Sequence, residues 1–187
     1  MLSGSDRQAL LDLARQTVAA AARGDDLPNL RNPNGPLREK GAVFITLRSG
    51  EDLRGCIGHV EAHLPLWESV RDMAAAAAER DTRFPPVRPE ELAGLDCEIS
   101  LLSPMVPIRA AEIVVGTHGL YVKRDGLASG LLLPQVAVEW GWTPEEFLRR
   151  TFEKASLLPG DPAATIHGFT VEHFSGGLGE TGGSLPG

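Results

Sequence analysis

A short apolar run, Ala42–Leu47 (AVFITL), and a second strand-like segment, Leu53–Ile57 (LRGCI), lie either side of the turn-forming stretch Ser49-Gly50-Glu51-Asp52. A connection that short leaves no room for a crossover, so the two strands must pair antiparallel. Ala42–Leu47 is almost continuously apolar, which predicts a strand covered on both faces. Gly119–Lys123 and Gly130–Leu133 flank Asp125-Gly126 and read as a second hairpin with a looser turn. Helical periodicity fills the intervals between such pairs. The implied class is α+β, with a mostly antiparallel sheet flanked by helices.

The first helix is expected over Asp6–Arg23, where Leu10, Leu13, Ala14, Val18 and Ala21 form one apolar stripe, ended by Gly24 and Pro28. Pro65 opens a second, running to about Arg80 with Leu66, Val70, Met73 and Ala77 on one face. Phe84–Pro89 carries three prolines and must be extended or turned. Cys97–Leu102 alternates as a strand. Pro134 begins a short helix to Trp140, and Thr143-Pro144-Glu145-Glu146 starts another that ends near Ser156. Thr165–Phe174 reads as the last strand. One domain is expected over residues 1–175, with 176–187 a flexible, glycine-rich tail.

A chain of 187 residues suits one such domain. Its 18 basic and 25 acidic residues give a net charge of −7, which argues against bulk nucleic-acid binding. The stretch 31–54 runs the other way, with Arg31, Arg38, Lys40, Arg48 and Arg54 against Glu39, Glu51 and Asp52, so an anion site is expected near it. Two cysteines make no disulfide framework and point to a reducing compartment. The first residues show no leader pattern, and the alanine run Ala74–Ala78 is too short to span a bilayer. A soluble cytoplasmic protein without membrane association is the expectation.

The chemistry concentrates in Asp52-Leu53-Arg54-Gly55-Cys56-Ile57-Gly58-His59. A cysteine between Gly55 and Gly58 on a strand is unshielded by its neighbours, and glycines there mark a bulge or a close backbone approach. In a regular strand Arg54 shares a face with Cys56, and a guanidinium beside a thiol favours the thiolate. The same groups would hold a small anion. The competing account is a buried cysteine beside structural glycines, and Cys97, on the apolar side of its strand, fits that account well. Cys56, His59, Glu61 and His63 are all metal-ligand types, but their spacing lacks the paired pattern of a zinc site, so no metal is expected. His118, between glycines in Gly116-Thr117-His118-Gly119, is a candidate for proton transfer. Phosphate-loop, dinucleotide, nucleophile-elbow and zinc-protease motifs are absent, and no cofactor is implied.

Leu53-Arg54-Gly55-Cys56-Ile57-Gly58 resembles the signature of the AMMECR domain family, called AmmeMemoRadiSam system protein A in prokaryotes. Ala42–Leu47 is similar to the preceding strand. Asp81-Thr82-Arg83-Phe84-Pro85-Pro86 resembles the family's D-P-R-F-P-P, with Thr82 in place of proline. Gly116–Leu120 resembles G-x-H-G-L, and Leu132–Glu139 with Gly141-Trp142 resembles L-L-P-Q-V-A-x-E and the later G-W. The resemblance implies an α+β fold with a larger and a smaller subdomain around a cleft. It marks Arg54, Gly55, Gly58, Arg83 and Gln135 as binding residues beside Cys56 and His118 as catalytic ones. It implies a Memo-like protein and a radical S-adenosylmethionine protein as partners. The expected function is a cysteine-dependent enzyme or carrier acting on a small anionic or electrophilic ligand. The alternative is a non-catalytic module that binds a nucleotide, RNA or protein, or a scaffold for those two partners.

Overall fold

The structure, a computed structural model, describes residues 2–179. The chain divides into two compact units. One holds the residues up to Leu101 with those from His173 onward, and the other is Leu102–Glu172.

In the first unit, helix α1 spans Gly4–Arg23. Ser3 and Asp6 close its N-terminus as a capping box, and Gly24, at φ 71°, ends it in the left-handed conformation. The predicted stripe is its buried face: Leu10, Leu13, Ala14 and Val18 are wholly inaccessible. Strands β1 (Ala42–Ser49) and β2 (Asp52–Gly58) form the expected antiparallel hairpin, with Gly50 at φ 60° in its turn. Helix α2 (Leu66–Glu79) packs on both strands and on α1. Its first N–H, on Leu66, donates to Glu39 O at 2.8 Å, which replaces a side-chain cap. Residues Pro89–Gly94 make a 3-10 turn, and strand β3 (Leu95–Leu102) follows. Val43, Ile45 and Leu47 of β1 meet Cys97 and Ile99 of β3 and the buried faces of both helices in one core. Each such aliphatic side chain contributes about 1.5–3 kcal/mol by leaving water.

β1 is fully covered on one face and only partly on the other. Val43, Ile45 and Leu47 are buried, whereas Phe44 and Thr46 are half-buried. The apolar run promised two covered faces, but Thr46 interrupts it on the side away from the helices.

The second unit contains β4 (Val106–Pro107), β5 (Gly119–Arg124), β6 (Ala128–Leu132), α3 (Pro134–Glu139), α4 (Pro144–Lys154) and β7 (Thr165–Phe169). Thr143 caps α4 by accepting the Glu146 N–H. The wholly buried Leu120, Val122 and Phe147 anchor this unit's apolar clusters. Strand β8 (Val171–Gly177) returns to the first unit.

The fold is α+β, and its strands form two four-stranded antiparallel sheets rather than one, in the orders β2-β1-β3-β8 and β4-β7-β5-β6. The single strand expected over Thr165–Phe174 is two, β7 and β8, belonging to different sheets. The two-residue β4 is too short to carry a periodicity. The expected tail from residue 176 begins inside β8, and Leu178 N–H donates to Leu95 O at 2.7 Å. The remainder of that stretch lies outside the described residues. No helix among the described residues is long and apolar enough to cross a membrane.

Candidate functional site

The signature lies on β2, an edge strand of its sheet. Near the turn the hairpin register pairs Ser49 with Asp52 and Arg48 with Leu53. It then shifts, so that Leu47 faces Gly55, Thr46 faces Cys56 and Phe44 faces Gly58. Arg54 has no partner on β1 and is the extra residue of a bulge. A one-residue slip exchanges the two faces of a strand. In an unbulged hairpin Cys56 would oppose Ile45 and enter the core. The bulge turns it outward, beside Thr46, on the face the helices do not cover.

A regular strand would set Arg54 on the face of Cys56, but here Arg54 is the bulge residue and its bonds go elsewhere than to the thiol. Arg54 reaches instead for Glu91 in the 3-10 turn, with Nε to Oε1 at 2.9 Å and Nη2 to Oε2 at 3.1 Å. Its Nη1 and Nη2 donate to Pro85 O at 2.9 Å and Pro86 O at 3.2 Å. The guanidinium therefore fastens the proline stretch to the sheet. Arg54 beside it, and then the Arg88 N–H, holds the Glu91 carboxyl down to about 2.

Both glycines answer to packing. A Cβ on Gly55 would stand 2.4 Å from Ala77 O, so its absence lets α2 lie against β2. A Cβ on Gly58 would clash with the Phe44 ring, 2.3 Å from its nearest atom. The expectation that these glycines serve to bare the thiol gives way to this close approach, and the exposure of Cys56 follows from the bulge.

Cys56 is half-buried and its surroundings are polar. The Thr46 hydroxyl donates to Sγ at 3.4 Å. The outward N–H of Cys56, which on an edge strand has no neighbouring strand to meet, donates to Asp81 Oδ2 at 2.8 Å. Its carbonyl accepts from Arg83 Nη2 at 3.3 Å. Arg83 also clasps Asp81 in a fork, Nε to Oδ1 at 2.9 Å and Nη2 to Oδ2 at 2.7 Å, and lies over the Phe84 ring with 5.5 Å to the centroid. Asp81 is buried, with its side chain 5% exposed, while that of Arg83 is 55% exposed. The hydrogen bond from Arg83 holds the Asp81 carboxyl well below the usual carboxylate range. Arg83 is held above its ordinary value, first by its hydrogen bond to Asp81 and, less strongly, by the charge of Asp81 and by Cys56.

The contrast with Cys97 is sharp. That thiol is wholly inaccessible in the core, and burial pushes it up to about 12.

His118 and Gln135 belong to the second unit. His118 closes a tight loop in which its Nδ1 accepts the Val114 N–H at 3.1 Å, leaving the neutral ring's proton on Nε2. Nδ1 is thus taken up as an acceptor within the loop, and Nε2–H is the donor the ring presents. Gln135, the second residue of α3, has a buried Oε1 with no hydrogen-bond partner among the described residues. The signature residues and Arg83 therefore converge in one unit, and these two residues stand in the other. No group of three or more His, Cys, Asp or Glu among the described residues is placed to hold a metal ion.

The sequence alone does not single out Thr46, Asp81 or Glu91. Thr46 enters through the register shift. Asp81 and Glu91 enter through bonds spanning 25 and 37 positions, although the D-x-R spacing of Asp81 and Arg83 is a local signal for the first.

Residues 11–174 match the AMMECR1 family model. The chain belongs to the AMMECR1 family. It is 41% identical over 190 residues to a protein of Methanothermobacter thermautotrophicus, covering 92% of this chain and 95% of that one. Identity to a Thermococcus gammatolerans protein is 44% over 180 residues, with 88% and 87% covered. The crystal structure of an uncharacterized AMMECR1-family protein, PH0010 from Pyrococcus horikoshii, superposes with a TM-score of 0.80 at 39% identity and covers 89% of each chain.

Proposed function

We propose that Cys56 is the reacting group of this AMMECR1-family protein, which acts as a cysteine-dependent enzyme or group carrier. One observation carries the reading. The bulge at Arg54 turns Cys56 out of the core and sets its sulfur beside the Thr46 hydroxyl, with the Asp81–Arg83 pair fixed to its own main chain. A positioned thiol on a half-buried residue is suited to attack an electrophilic carbon. The thiol proton passes to water or a buffer base, the sulfur lone pair forms the S–C bond, and the leaving group departs with the pair of the bond it breaks. Asp81 and Arg83 fix the strand segment that carries the sulfur.

A Memo-like protein and a radical S-adenosylmethionine protein are the proposed partners that supply or take up the transferred group. The resemblance of the signature supports this, and co-purification from a cell holding all three tests it.

The reading itself is tested by treating the folded protein with iodoacetamide and locating the adduct by peptide mass. Cys56 is expected to be labelled while Cys97 stays silent until denaturant is added. Equal resistance of both cysteines in the folded protein overturns the proposal.

A further inference from the structure

We infer that the molecule attacked by Cys56 is a small anion, a carboxylate or phosphate monoester, held by the Nη1 edge of Arg83. The inference rests on the reading of Cys56 given above and names its substrate class.

Arg83 has five N–H donors in one plane. Nε and Nη2 are committed to the two oxygens of Asp81, and Nη2 also reaches Cys56 O. Nη1 donates to no described residue. The guanidinium is fastened by Asp81 along one edge, by the Cys56 carbonyl at a corner and by the Phe84 ring on a face. Its remaining edge opens to solvent, consistent with 55% exposure for the side chain against 5% for Asp81. Holding an anion there costs little further side-chain ordering, since the rotamer is already fixed.

The charge balance limits what can bind. Asp81 offsets Arg83, and Glu91 offsets Arg54, so the site carries no large positive field. Recognition must come from directional, charge-assisted hydrogen bonds at short range rather than from long-range attraction. That favours a ligand with one compact anionic group close to its reacting carbon. It disfavours a polyanion such as nucleic acid, in keeping with the net charge of −7. Arg83 is bonded to the main chain of the nucleophile's own residue, so an anion on Nη1 is held beside that residue.

Two reagents of nearly equal size separate the possibilities. Iodoacetate and iodoacetamide each form the same bond: the Cys56 sulfur attacks the methylene carbon, an S–C bond forms, and iodide leaves with the C–I pair. They differ in the charge that Arg83 would read. On the intact protein, the rate ratio of iodoacetate to iodoacetamide at Cys56 should exceed that of free glutathione in the same buffer by roughly tenfold or more. The iodoacetate rate should saturate with concentration, and inorganic phosphate should slow it competitively. Arg83→Gln should bring the ratio to the glutathione value while iodoacetamide still reacts. Should that variant unfold, the phosphate competition on the unaltered protein decides. A wild-type ratio equal to that of glutathione, with no saturation and no phosphate effect, overturns the anion inference and leaves Cys56 reactive. Failure of both reagents to reach Cys56 in the folded protein overturns the Cys56 reading and this inference with it.

Discussion

Asp81 grips Cys56 by its main chain and not by its sulfur: Oδ2 accepts the Cys56 N–H at 2.8 Å, while the same carboxylate is forked by Arg83. The carboxylate is buried, so its partners matter energetically. Asp81→Ala leaves the Cys56 N–H without an acceptor and Arg83 without its anchor. The expected loss is about 2–4 kcal/mol in urea unfolding. A loss within experimental error would show that the pair does not hold the strand.

Arg54 is the bulge residue, and its four hydrogen bonds go to Glu91, Pro85 and Pro86. Arg54→Ala is expected to cost about 2–4 kcal/mol of stability. The iodoacetamide rate at Cys56 in the folded variant should be unchanged. A slower rate at full folding would return Arg54 to the chemistry of the thiol.

The acid limb of stability should report Asp81 and Glu91. Both carboxyls are depressed on folding, Glu91 to about 2 and Asp81 further. A depressed group contributes stability that is present above its unfolded value, about 4.3 for Glu, and is lost as pH falls through the folded value. Urea midpoints should therefore drop between about pH 4.5 and 2. Glu91→Gln should flatten that drop, and an unchanged slope would count against the Arg54–Glu91 pair.

Gly55 is where α2 meets the sheet. Gly55→Ala puts a Cβ 2.4 Å from Ala77 O, a main-chain atom that cannot rotate aside. The expected cost is about 1–3 kcal/mol from overpacking, seen as a lowered Tm. A neutral substitution would mean that the helix moves freely.

The two cysteines should part company under substitution as they do under alkylation. Cys97→Ser places a hydroxyl in a fully buried position of the core and should cost about 1–3 kcal/mol. Cys56→Ser sits on a half-exposed face beside Thr46 and should unfold within about 0.5 kcal/mol of the parent. Denaturant curves on both variants check the pair.

Elements were legible in the sequence where their signal is local. The α1 stripe, the Gly24 stop, the Gly50 turn and the Thr143 cap are all read from neighbours within a few positions, and the structure shows each of them. The six-residue signature likewise pointed to the family. What a side chain faces was less legible. The face of β2 that carries Cys56 depends on a single extra residue, and no alternation pattern marks it because Gly55 and Gly58 have no side chains to alternate. The grip of Asp81 and the destination of Arg54 join segments far apart in the chain, so their partners appear only once α2 has brought the proline stretch back beside the hairpin. The division of the strands between two sheets was hidden for a similar reason, since β7 and β8 are separated by Thr170 alone.

β2 ends its sheet, and an open sheet edge is a template on which another chain can add a strand. At Cys56 the exposed amide and carbonyl are already occupied, by Asp81 and by Arg83. The two side chains that position the thiol thus also act as a stopper against self-association. Holding the Cys56 main chain and closing this stretch of sheet edge are thus a single constraint on residues 81 and 83.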